Sequence, residues 1–382
     1  MGSITERDVW GLRGPVHTCR IQRTSYFRRC GAEACETEER SDTTTLEFGA
    51  NGSLARNWHH NPDGSEWTAT SEYNDTGQRT TTRRENGAGL VDLQCYEYNT
   101  AGKLMRVIVR PNGGSDRIAE SYEYDAAGRK KKTFYIDLAA QSPNIHYGWG
   151  VEGTDSIYSA PGAATLTTLY DEREQPTDLH FHDSAGRMLS RVEFRYDGDG
   201  NLIEEAQTNL AERLSPQMLA SLNQAQLEAV RALLGGGEPI RRMHLYNEQG
   251  RRAETRSRMG KLGGDKKTMV YNDHGDQIEE VSEHDQREYG MDDEGRLSDA
   301  PTSESVSRSE ARFRYNYDMF GNWVMKTIEC RGGTDQDFTV SENRIESPRR
   351  LVRQRPETFL SLRYFHLAKL PHNSGELNPL AD

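Results

Sequence analysis

Aromatic and polar residues alternate in short stretches along most of this chain. In YEYDAAGRKK, residues 122 to 131, Tyr122 and Tyr124 lie two positions apart, on either side of a glutamate. Successive side chains of a β-strand point to opposite faces, so the two tyrosines share one face and the glutamate takes the other. Asp125 and Gly128 follow, and both are common turn residues. The pattern predicts a half-buried strand that ends in a tight turn.

The same frame recurs between residues 46 and 326. It consists of an aromatic residue, Asp or Asn, two free positions, Gly, one free position and often an apolar residue. Its copies are LEFGANGSL (46–54), SEYNDTGQR (71–79), YEYNTAGKL (96–104), YEYDAAGRK (122–130), LHFHDSAGRML (179–189), FRYDGDGNLI (194–203), HLYNEQGRR (244–252), MVYNDHGDQI (269–278), EYGMDDEGRL (288–297) and YNYDMFGNWV (315–324). The glycines of several neighbouring copies lie 25 or 26 residues apart, namely Gly52, Gly77, Gly102 and Gly128, then Gly250 and Gly275, then Gly295 and Gly321. Further turns lie between the early copies, around Gly64, Gly89 and Gly113, and this spacing is typical of an antiparallel meander.

Each position of the frame has a structural explanation. In Asp125-Ala126-Ala127-Gly128 the carboxylate can accept hydrogen bonds from backbone N–H groups ahead of it and so start a type I turn. Gly128 then supplies the left-handed residue that completes the usual three-residue hairpin connection. We expect the paired aromatics of neighbouring repeats to stack as ladders across the sheet.

The frame resembles the YD repeat of RHS (rearrangement hot spot) and teneurin-type proteins. The resemblance covers most of residues 46 to 326, and its structural positions are Tyr98, Gly102, Tyr124, Asp125, Gly128, Tyr196, Asp197, Gly200, Tyr317, Asp318 and Gly321. Such repeats wind hairpins into a spiralling sheet that closes into a hollow shell, which in toxin members encloses a toxic C-terminal domain. This chain has fewer repeats and no DPxGR-type signature.

We therefore predict an all-β fold, in which an antiparallel meander of YD-repeat hairpins winds into a twisted or closed barrel or a partial shell. Residues 1–45 are expected to supply N-terminal capping strands, residues 46–326 the repeat domain, and residues 327–382 a C-terminal tail. Two insertions interrupt the repeats, a long loop at 136–168 and a helical insertion at 207–237. Within the second insertion, Ser215 is the expected N-cap of a helix.

Composition and charge narrow the possible functions. Hydrophobic residues make up 34% of the 382, mean hydropathy is −0.89, and no apolar run is long enough for a transmembrane helix. The net charge of −12 opposes binding to nucleic acid or to an anionic membrane. Five scattered cysteines do not form a disulfide framework, and the N-terminus lacks the apolar region of a signal peptide. We expect a cytoplasmic protein, with non-classical export left open.

The stretch DLHFHD, residues 178 to 183, carries the candidate ligand-binding side chains Asp178, His180 and His182. If Asp183 is aligned with Asp125, the two histidines take the tyrosine positions and should lie on the aromatic face. A His-x-His strand with a carboxylate can bind a transition metal, but three ligands are not assured, and we predict neither a metal nor a cofactor.

Tyr147 and Trp149, in the loop insertion, complete the candidate ligand-binding set. Long loops within a compact domain are often functional, although a tolerated hairpin extension explains this one equally well.

Three functions are compatible with the sequence. The first is a non-enzymatic YD-repeat scaffold that binds a carbohydrate or a protein, the ligand classes that the resemblance implies. The second is an enzyme that uses the interior of a small β-barrel as its reaction chamber. The third is an orphan shell or an accessory of a polymorphic toxin system. The frame leaves the oligomeric state open.

Overall fold

The chain is almost entirely β-structure in the computed structural model, which confirms the predicted all-β fold. The structure describes residues 5–10, 12, 16–30, 35–136, 149–150, 156–158, 160, 162–209, 223–224, 226–228, 239–258, 263–290, 298, 300–317, 323–331 and 338–346. Among these residues, no helix is both long and apolar enough to cross a membrane.

A four-residue helix, α1 (Glu6–Val9), precedes the strands. The strands are β1 (Thr18–Cys30), β2 (Cys35–Phe48), β3 (Leu54–His60), β4 (Glu66–Tyr73), β5 (Arg79–Asn86), β6 (Gly89–Tyr98), β7 (Leu104–Pro111), β8 (Arg117–Tyr124), β9 (Lys130–Tyr135), β10 (Trp149–Gly150), β11 (Ile157–Tyr158), β12 (Thr165–Tyr170), β13 (Pro176–His182), β14 (Met188–Tyr196), β15 (Leu202–Asn209), β16 (Ile240–Tyr246), β17 (Arg252–Arg258), β18 (Gly263–Tyr271), β19 (Gln277–Glu288), β20 (Ser303–Tyr317), β21 (Trp323–Arg331) and β22 (Phe338–Glu346).

The sheet is a meander in which each strand pairs antiparallel with the next along the chain. The loop insertion is bypassed, because β9 pairs directly with β12, while β10 and β11 pair only with each other. Strands β1 to β9 and β12 to β21 make up 19 strands of the main sheet, and β1 and β21, at the two ends of this series, do not pair with each other. The last strand, β22, pairs with both of these edges, Arg20↔Glu346 on one side and Met325↔Arg344 on the other.

The meander places alternate turns at opposite rims of the sheet. One rim, here called the YD rim, carries the turns at 49–53, 74–78, 99–103, 125–129, 171–175, 197–201, 247–251 and 272–276. The opposite rim carries the shorter turns at 61–65 and 183–187 and all the long connections, including both insertions. Variation in length is therefore confined to the opposite rim.

The turns have the predicted chemistry. In the turn at 125–129, Asp125 Oδ1 accepts hydrogen bonds from the amides of Ala127 (3.0 Å) and Arg129 (2.8 Å). The amide of Gly128 donates to the Asp125 carbonyl at 2.9 Å, and Gly128 has a φ of 82°. A β-carbon disfavours this backbone conformation, which explains the glycine.

One YD-rim turn was missing from the sequence prediction. Tyr170 and Asp171 begin a turn of the same hydrogen-bond pattern, in which Glu174 takes the place of glycine with a φ of 59°. This copy does not match the sequence frame, because the frame includes the glycine. Among the described residues, Glu174 is the one non-glycine residue with a positive φ.

Tyrosine hydroxyls join successive hairpins at the YD rim. Tyr98 is the last residue of β6, and its hydroxyl donates at 2.8 Å to the carbonyl of Arg79, the first residue of β5. The β5–β6 ladder stops at Thr81↔Cys95, so this carbonyl lies beyond the strand pairing. The same bond, at 2.7 to 3.1 Å, joins Tyr73 to Leu54, Tyr124 to Leu104, Tyr196 to Pro176, Tyr246 to Leu202 and Tyr271 to Arg252. Each tyrosine satisfies a carbonyl that the ladder leaves without a partner.

Cations lie close to the rings of several repeat tyrosines, and the rings of Tyr315 and Tyr317 stack with their centroids 6.0 Å apart. Lys132 lies opposite Tyr122 in the register, with its Nζ 5.6 Å from the ring centroid. The corresponding distance from Lys103 to Tyr124 is 4.5 Å. Further cation–ring contacts join Arg79 to Tyr73 and Tyr96, Lys130 to Tyr170, and Arg251 to Tyr271. Such contacts contribute about 0.5–1 kcal/mol each at exposed sites.

Strand pairing identifies one face of the sheet, here called the tyrosine face. Directly paired residues lie on the same face. Tyr122 pairs with Lys132, Lys132 with Thr168, and Thr168 with Leu179. Leu179 therefore lies on the tyrosine face.

The described residues form two cores under this sheet. The larger contains Leu166, Leu179, Phe181, Val192 and Phe194, of which Leu179, Phe181 and Val192 are fully buried. The smaller packs Cys19, Leu46 and Phe48 against residues that precede β1.

The predicted helix of the second insertion lies largely outside the described residues, including Ser215. Within it, a helical turn begins at Asn223, whose Oδ1 accepts from the Gln226 amide while Gln226 Oε1 accepts from the Asn223 amide, both at 2.9 Å. This reciprocal pair is a capping box, so a helix starts at this position inside the predicted segment.

Replacing Tyr98 with Phe should lower the free energy of unfolding by about 1–3 kcal/mol, because the Arg79 carbonyl would lose its partner. Denaturant titration measures this change. The control is Tyr135→Phe, whose exposed hydroxyl contacts Ser121 at 3.3 Å and whose loss should change stability by less than about 0.5 kcal/mol. Equal effects of the two substitutions would contradict the assignment.

Glu174→Gly should raise the free energy of unfolding by about 1 kcal/mol, since glycine adopts a positive φ without strain. Gly128→Ala should lower it by a similar amount, because a β-carbon at Gly128 meets only the flexible end of Lys103, at 3.5 Å, and the cost is conformational. Thermal unfolding of both variants tests these two predictions. A destabilised Glu174→Gly protein would contradict them, because it would show that the Glu174 side chain stabilises the fold by more than its positive φ costs.

Candidate functional site

Both insertions open from the opposite rim beside the larger core. The described part of the loop insertion brings Tyr158 and Ala163 into that core, against strands β12 to β15. The second insertion connects β15 to β16. Strands β12 to β16, here called the insertion region, carry a charged cluster on each face.

A buried carboxylate, Glu205, lies at the centre of the cluster on the tyrosine face. Its Oε1 accepts hydrogen bonds from Ser156 Oγ (2.7 Å) and His244 Nε2 (2.8 Å). Its Oε2 accepts from the Tyr158 hydroxyl (2.7 Å) and Arg242 Nη1 (2.9 Å). Glu205 is 2% exposed and His244 3%. Two of the donors come from the loop insertion, so the carboxylate fastens the loop to the sheet.

The donors determine the charge state of Glu205. Burial alone raises its pKa, because a desolvated carboxylate favours the neutral form. The hydrogen bonds and the Arg242 charge outweigh burial and lower the pKa of Glu205 to about 2. The carboxylate is therefore ionised at neutral pH, with a donor at each of its four lone-pair positions.

This cluster contains the residue types of a hydrolase triad in a different arrangement. Ser156 donates to Glu205 rather than to His244, whose other ring nitrogen lies 3.0 Å from Thr255 Oγ1. A nucleophile activated by histidine needs a direct hydrogen bond between the two. The geometry therefore supports an anchoring role for the cluster.

His180 and His182 lie on the face opposite to the predicted one. Phe181 and Leu179 are fully buried in the core beneath the tyrosine face, so the intervening His180 points away from it. The expected face was wrong because Asp183, unlike Asp125, begins a turn at the opposite rim. At that rim the last strand residue before the turn lies on the face away from the tyrosines.

In the predicted histidine cluster, the carboxylate of Asp178 is already paired with an arginine. Asp178 Oδ1 accepts hydrogen bonds from Arg191 Nε, at 2.8 Å, and from Arg191 Nη2. The His180 and His182 rings are perpendicular, with centroids 6.1 Å apart. His180 Nε2 is buried without a hydrogen-bond partner and lies 3.8 Å from Asp178, and burial is the main cause that lowers the His180 pKa. Within the described part of the chain, no three His, Cys, Asp or Glu side chains are grouped to hold a metal.

A charged groove adjoins these residues. Glu204 is 4% exposed; its Oε2 accepts from Arg195 Nη1 at 2.6 Å and its Oε1 from Arg241 Nη1. The arginine side chains themselves remain 68% and 57% exposed. They line a cavity of about 290 Å³ together with Asp178 and Glu193.

The remaining predicted residues divide between described and undescribed parts of the chain. Tyr147, Asp318 and Gly321 lie outside the described residues, and for Trp149 only the backbone pairing with Tyr158 is described. Tyr317 ends β20 and donates to Asp276 Oδ2 at 2.5 Å. The neighbouring Tyr315 donates to the carbonyl of Gln277, which begins β19.

Sequence reasoning missed Glu205, His244, Ser156 and Tyr158. Glu205 is 49 positions from Ser156 and 39 from His244, and no motif links them. One available signal was the paired glutamates Glu204 and Glu205, which place a carboxylate on each face of an otherwise regular strand.

Fold and site together define an antiparallel hairpin-repeat protein whose two insertions meet one region of the sheet. No protein-family model matches the chain, and no curated protein matches it. A porin-like protein from Bacteroides uniformis ATCC 8492 is similar in structure, with a TM-score of 0.31 and 10% identity, over 88% of this chain and 98% of that chain.

TcdB2-TccC3 is similar with a TM-score of 0.22 and 14% identity, over 82% of this chain and 19% of that chain. TcdB2-TccC3 without its hypervariable C-terminal region is similar with a TM-score of 0.21 and 13% identity, over 83% of this chain and 19% of that chain. The chain thus aligns with less than a fifth of each of these two structures.

The Glu205 cluster predicts a pH dependence of stability. Because folding lowers the pKa of Glu205 from 4.5 to about 2, its contribution is complete above pH 4.5 and is lost as the pH falls through that range. Denaturant titrations between pH 7 and pH 2 should show a smaller loss of stability for Glu205→Gln than for the parent protein. The control Glu193→Gln, at an exposed position, should lose as much stability between pH 7 and pH 2 as the parent protein. An equal loss in all three proteins would contradict the assigned role of Glu205.

Proposed function

We propose that the protein is a non-enzymatic β-scaffold that binds a protein partner through the charged groove of the insertion region. The observation that carries the proposal is the arrangement of Glu204 between Arg195 and Arg241. The buried carboxylate fixes the two guanidinium groups, yet most of each arginine side chain stays exposed. Arginine is enriched in protein interfaces, where its planar group forms directed hydrogen bonds.

The alternating charges of the groove favour a protein over a carbohydrate. Arg191 bridges Asp178 and Glu193, at 2.9 Å from the latter, beside the Glu204 pair. Complementary charges on a partner would fix its register across such a row. Carbohydrate sites depend on exposed aromatic rings for stacking, whereas Phe194, the aromatic residue beside this groove, is 6% exposed and packs into the larger core.

The tyrosine face supports the non-enzymatic part of the proposal. The tyrosines of the YD rim donate to backbone carbonyls, and Glu205 is saturated by its four donors. These groups stabilise the fold, which explains their presence without a reaction.

The test replaces Glu204 and both of its arginine partners together, so that no buried charge is left unpaired. Arg195→Met, Glu204→Leu and Arg241→Met are made together, since an apolar replacement of a whole ionic group is often neutral for folding. Retention of native partner proteins from a lysate is then quantified by mass spectrometry, in parallel with a glycan array. The matched control is Arg314→Met with Glu329→Leu, another exposed arginine paired across strands.

We expect the parent and the control to retain the same proteins, and the triple variant to lose them by at least about tenfold, equivalent to 1.4 kcal/mol. Retention should also fall at high salt, because screening weakens exposed charges. Unchanged retention by the triple variant would contradict the proposal. If the parent protein binds a glycan and the triple variant does not, the groove binds a carbohydrate rather than a protein.

A further inference from the structure

Three donors of the sheet hold the carboxylate of Glu6, which belongs to α1. Glu6 Oε2 accepts hydrogen bonds from the Leu54 amide and from the Tyr73 hydroxyl, both at 2.7 Å. Glu6 Oε1 accepts from Arg79 Nη2. Leu54 begins β3, Tyr73 ends β4 and Arg79 begins β5, so the three donors meet at the YD rim. An amide, a hydroxyl and a guanidinium that converge in this way match the two oxygens and the charge of a carboxylate.

The sheet itself positions these donors. The Tyr73 hydroxyl lies 2.8 Å from the Leu54 carbonyl, in the contact that other tyrosines of the YD rim also make. Arg79 Nε and Nη2 lie 3.4 and 3.3 Å from the Tyr73 hydroxyl oxygen. The Arg79 guanidinium also lies 5.7 Å from the ring centroid of Tyr73 and 5.6 Å from that of Tyr96. None of these contacts involves Glu6, so the donors are preorganised for an anion.

Glu6, in contrast, is an addition to the repeat. It lies on a four-residue helix that precedes the first strand, and a helix of this length has little stability of its own. The Glu6 side chain is 37% exposed. A tyrosine hydroxyl has one proton, so Glu6 competes with the Leu54 carbonyl for the hydrogen bond of Tyr73. The rim bond of this repeat is therefore complete without Glu6.

We propose that Leu54, Tyr73 and Arg79 form a binding site for small carboxylates, which Glu6 fills in the free protein and which a ligand occupies when α1 withdraws. One ligand oxygen takes the place of Glu6 Oε1 on Arg79. The other takes the place of Glu6 Oε2 on the Leu54 amide and the Tyr73 hydroxyl. The site lies on β3 to β5, whereas the arginines of the groove lie on β14 and β16, so the two sites are independent.

The test is rescue of the full-length Glu6→Ala variant by sodium acetate. Loss of the carboxylate leaves the three donors without this acceptor and should lower the midpoint of thermal unfolding. Acetate should restore at least about half of the lost midpoint, because a ligand that binds only the folded state stabilises it. Sodium chloride at the same ionic strength controls for screening, and acetamide controls for a neutral molecule of the same shape.

Two further variants show whether the effect belongs to this site. Glu66→Ala removes an exposed carboxylate that is paired with His60, and acetate should stabilise this variant no more than chloride does. Glu6→Ala combined with Arg79→Met lacks the charged donor and should lose the acetate effect.

The NMR line width of ¹³C-labelled acetate reports binding without reference to stability. The line should be broader with Glu6→Ala than with the parent protein, in which Glu6 competes for the site. An acetate effect on Glu6→Ala no larger than that of chloride, or equal line widths with the two proteins, would overturn the proposal. Glu6 would then serve only to hold α1 on the sheet.

Discussion

The hydrogen bond from a strand-ending tyrosine to the first carbonyl of the preceding strand is the interaction on which the sheet depends. A long meander is made of hairpins, and an isolated hairpin is marginally stable in water. At the YD rim the ladder between successive hairpins stops short, as at Thr81↔Cys95, and leaves a backbone carbonyl without a strand partner. The Tyr98 hydroxyl closes that gap. Repetition of the same bond extends the join between successive hairpins as far as the YD rim.

A second contact between neighbouring turns reinforces this rim. The residue that follows the positive-φ position of a turn, where glycine or Glu174 lies, reaches the next turn. The Gln78 side-chain amide donates to the Gly102 carbonyl, and Gln175 does the same to Gly200, both at 2.8 Å. Because turns of fixed length are held side by side here, insertions are accommodated at the opposite rim. Both insertions therefore connect strands at the opposite rim, and the Glu205 cluster fastens the described part of the loop insertion to the sheet.

Local features of the fold could be predicted from the sequence because their causes are local. Asp125 and Gly128 form their turn through contacts within five residues, and the alternation of Tyr122 and Tyr124 follows from strand geometry. The partner of a tyrosine hydroxyl lies some 20 positions away, as from Tyr124 to Leu104, and depends on where the strand ladder stops. The cation neighbours, such as Lys132 beside Tyr122, likewise depend on the register.

The candidate site was harder to predict for two physical reasons. The Asp-x-x-Gly turn serves both rims, so the frame does not determine the face of His180, and the missed turn at Glu174 concealed the change of rim. The Glu205 cluster joins a loop and two strands that lie far apart in the chain. Only the register that brings these elements together creates the site.

Hydrogen exchange, measured by mass spectrometry on the Tyr124→Phe variant, tests directly whether the tyrosine hydroxyl holds successive hairpins together at the YD rim. The hydroxyl of Tyr124 acts at the YD-rim end of β7, where Leu104 begins the strand. Loss of this hydroxyl should speed exchange at Arg106 and Val107 relative to the parent protein, with little change at Val109 and Arg110 near the other end of the strand. Unchanged exchange, or equal acceleration along the whole of β7, would contradict it.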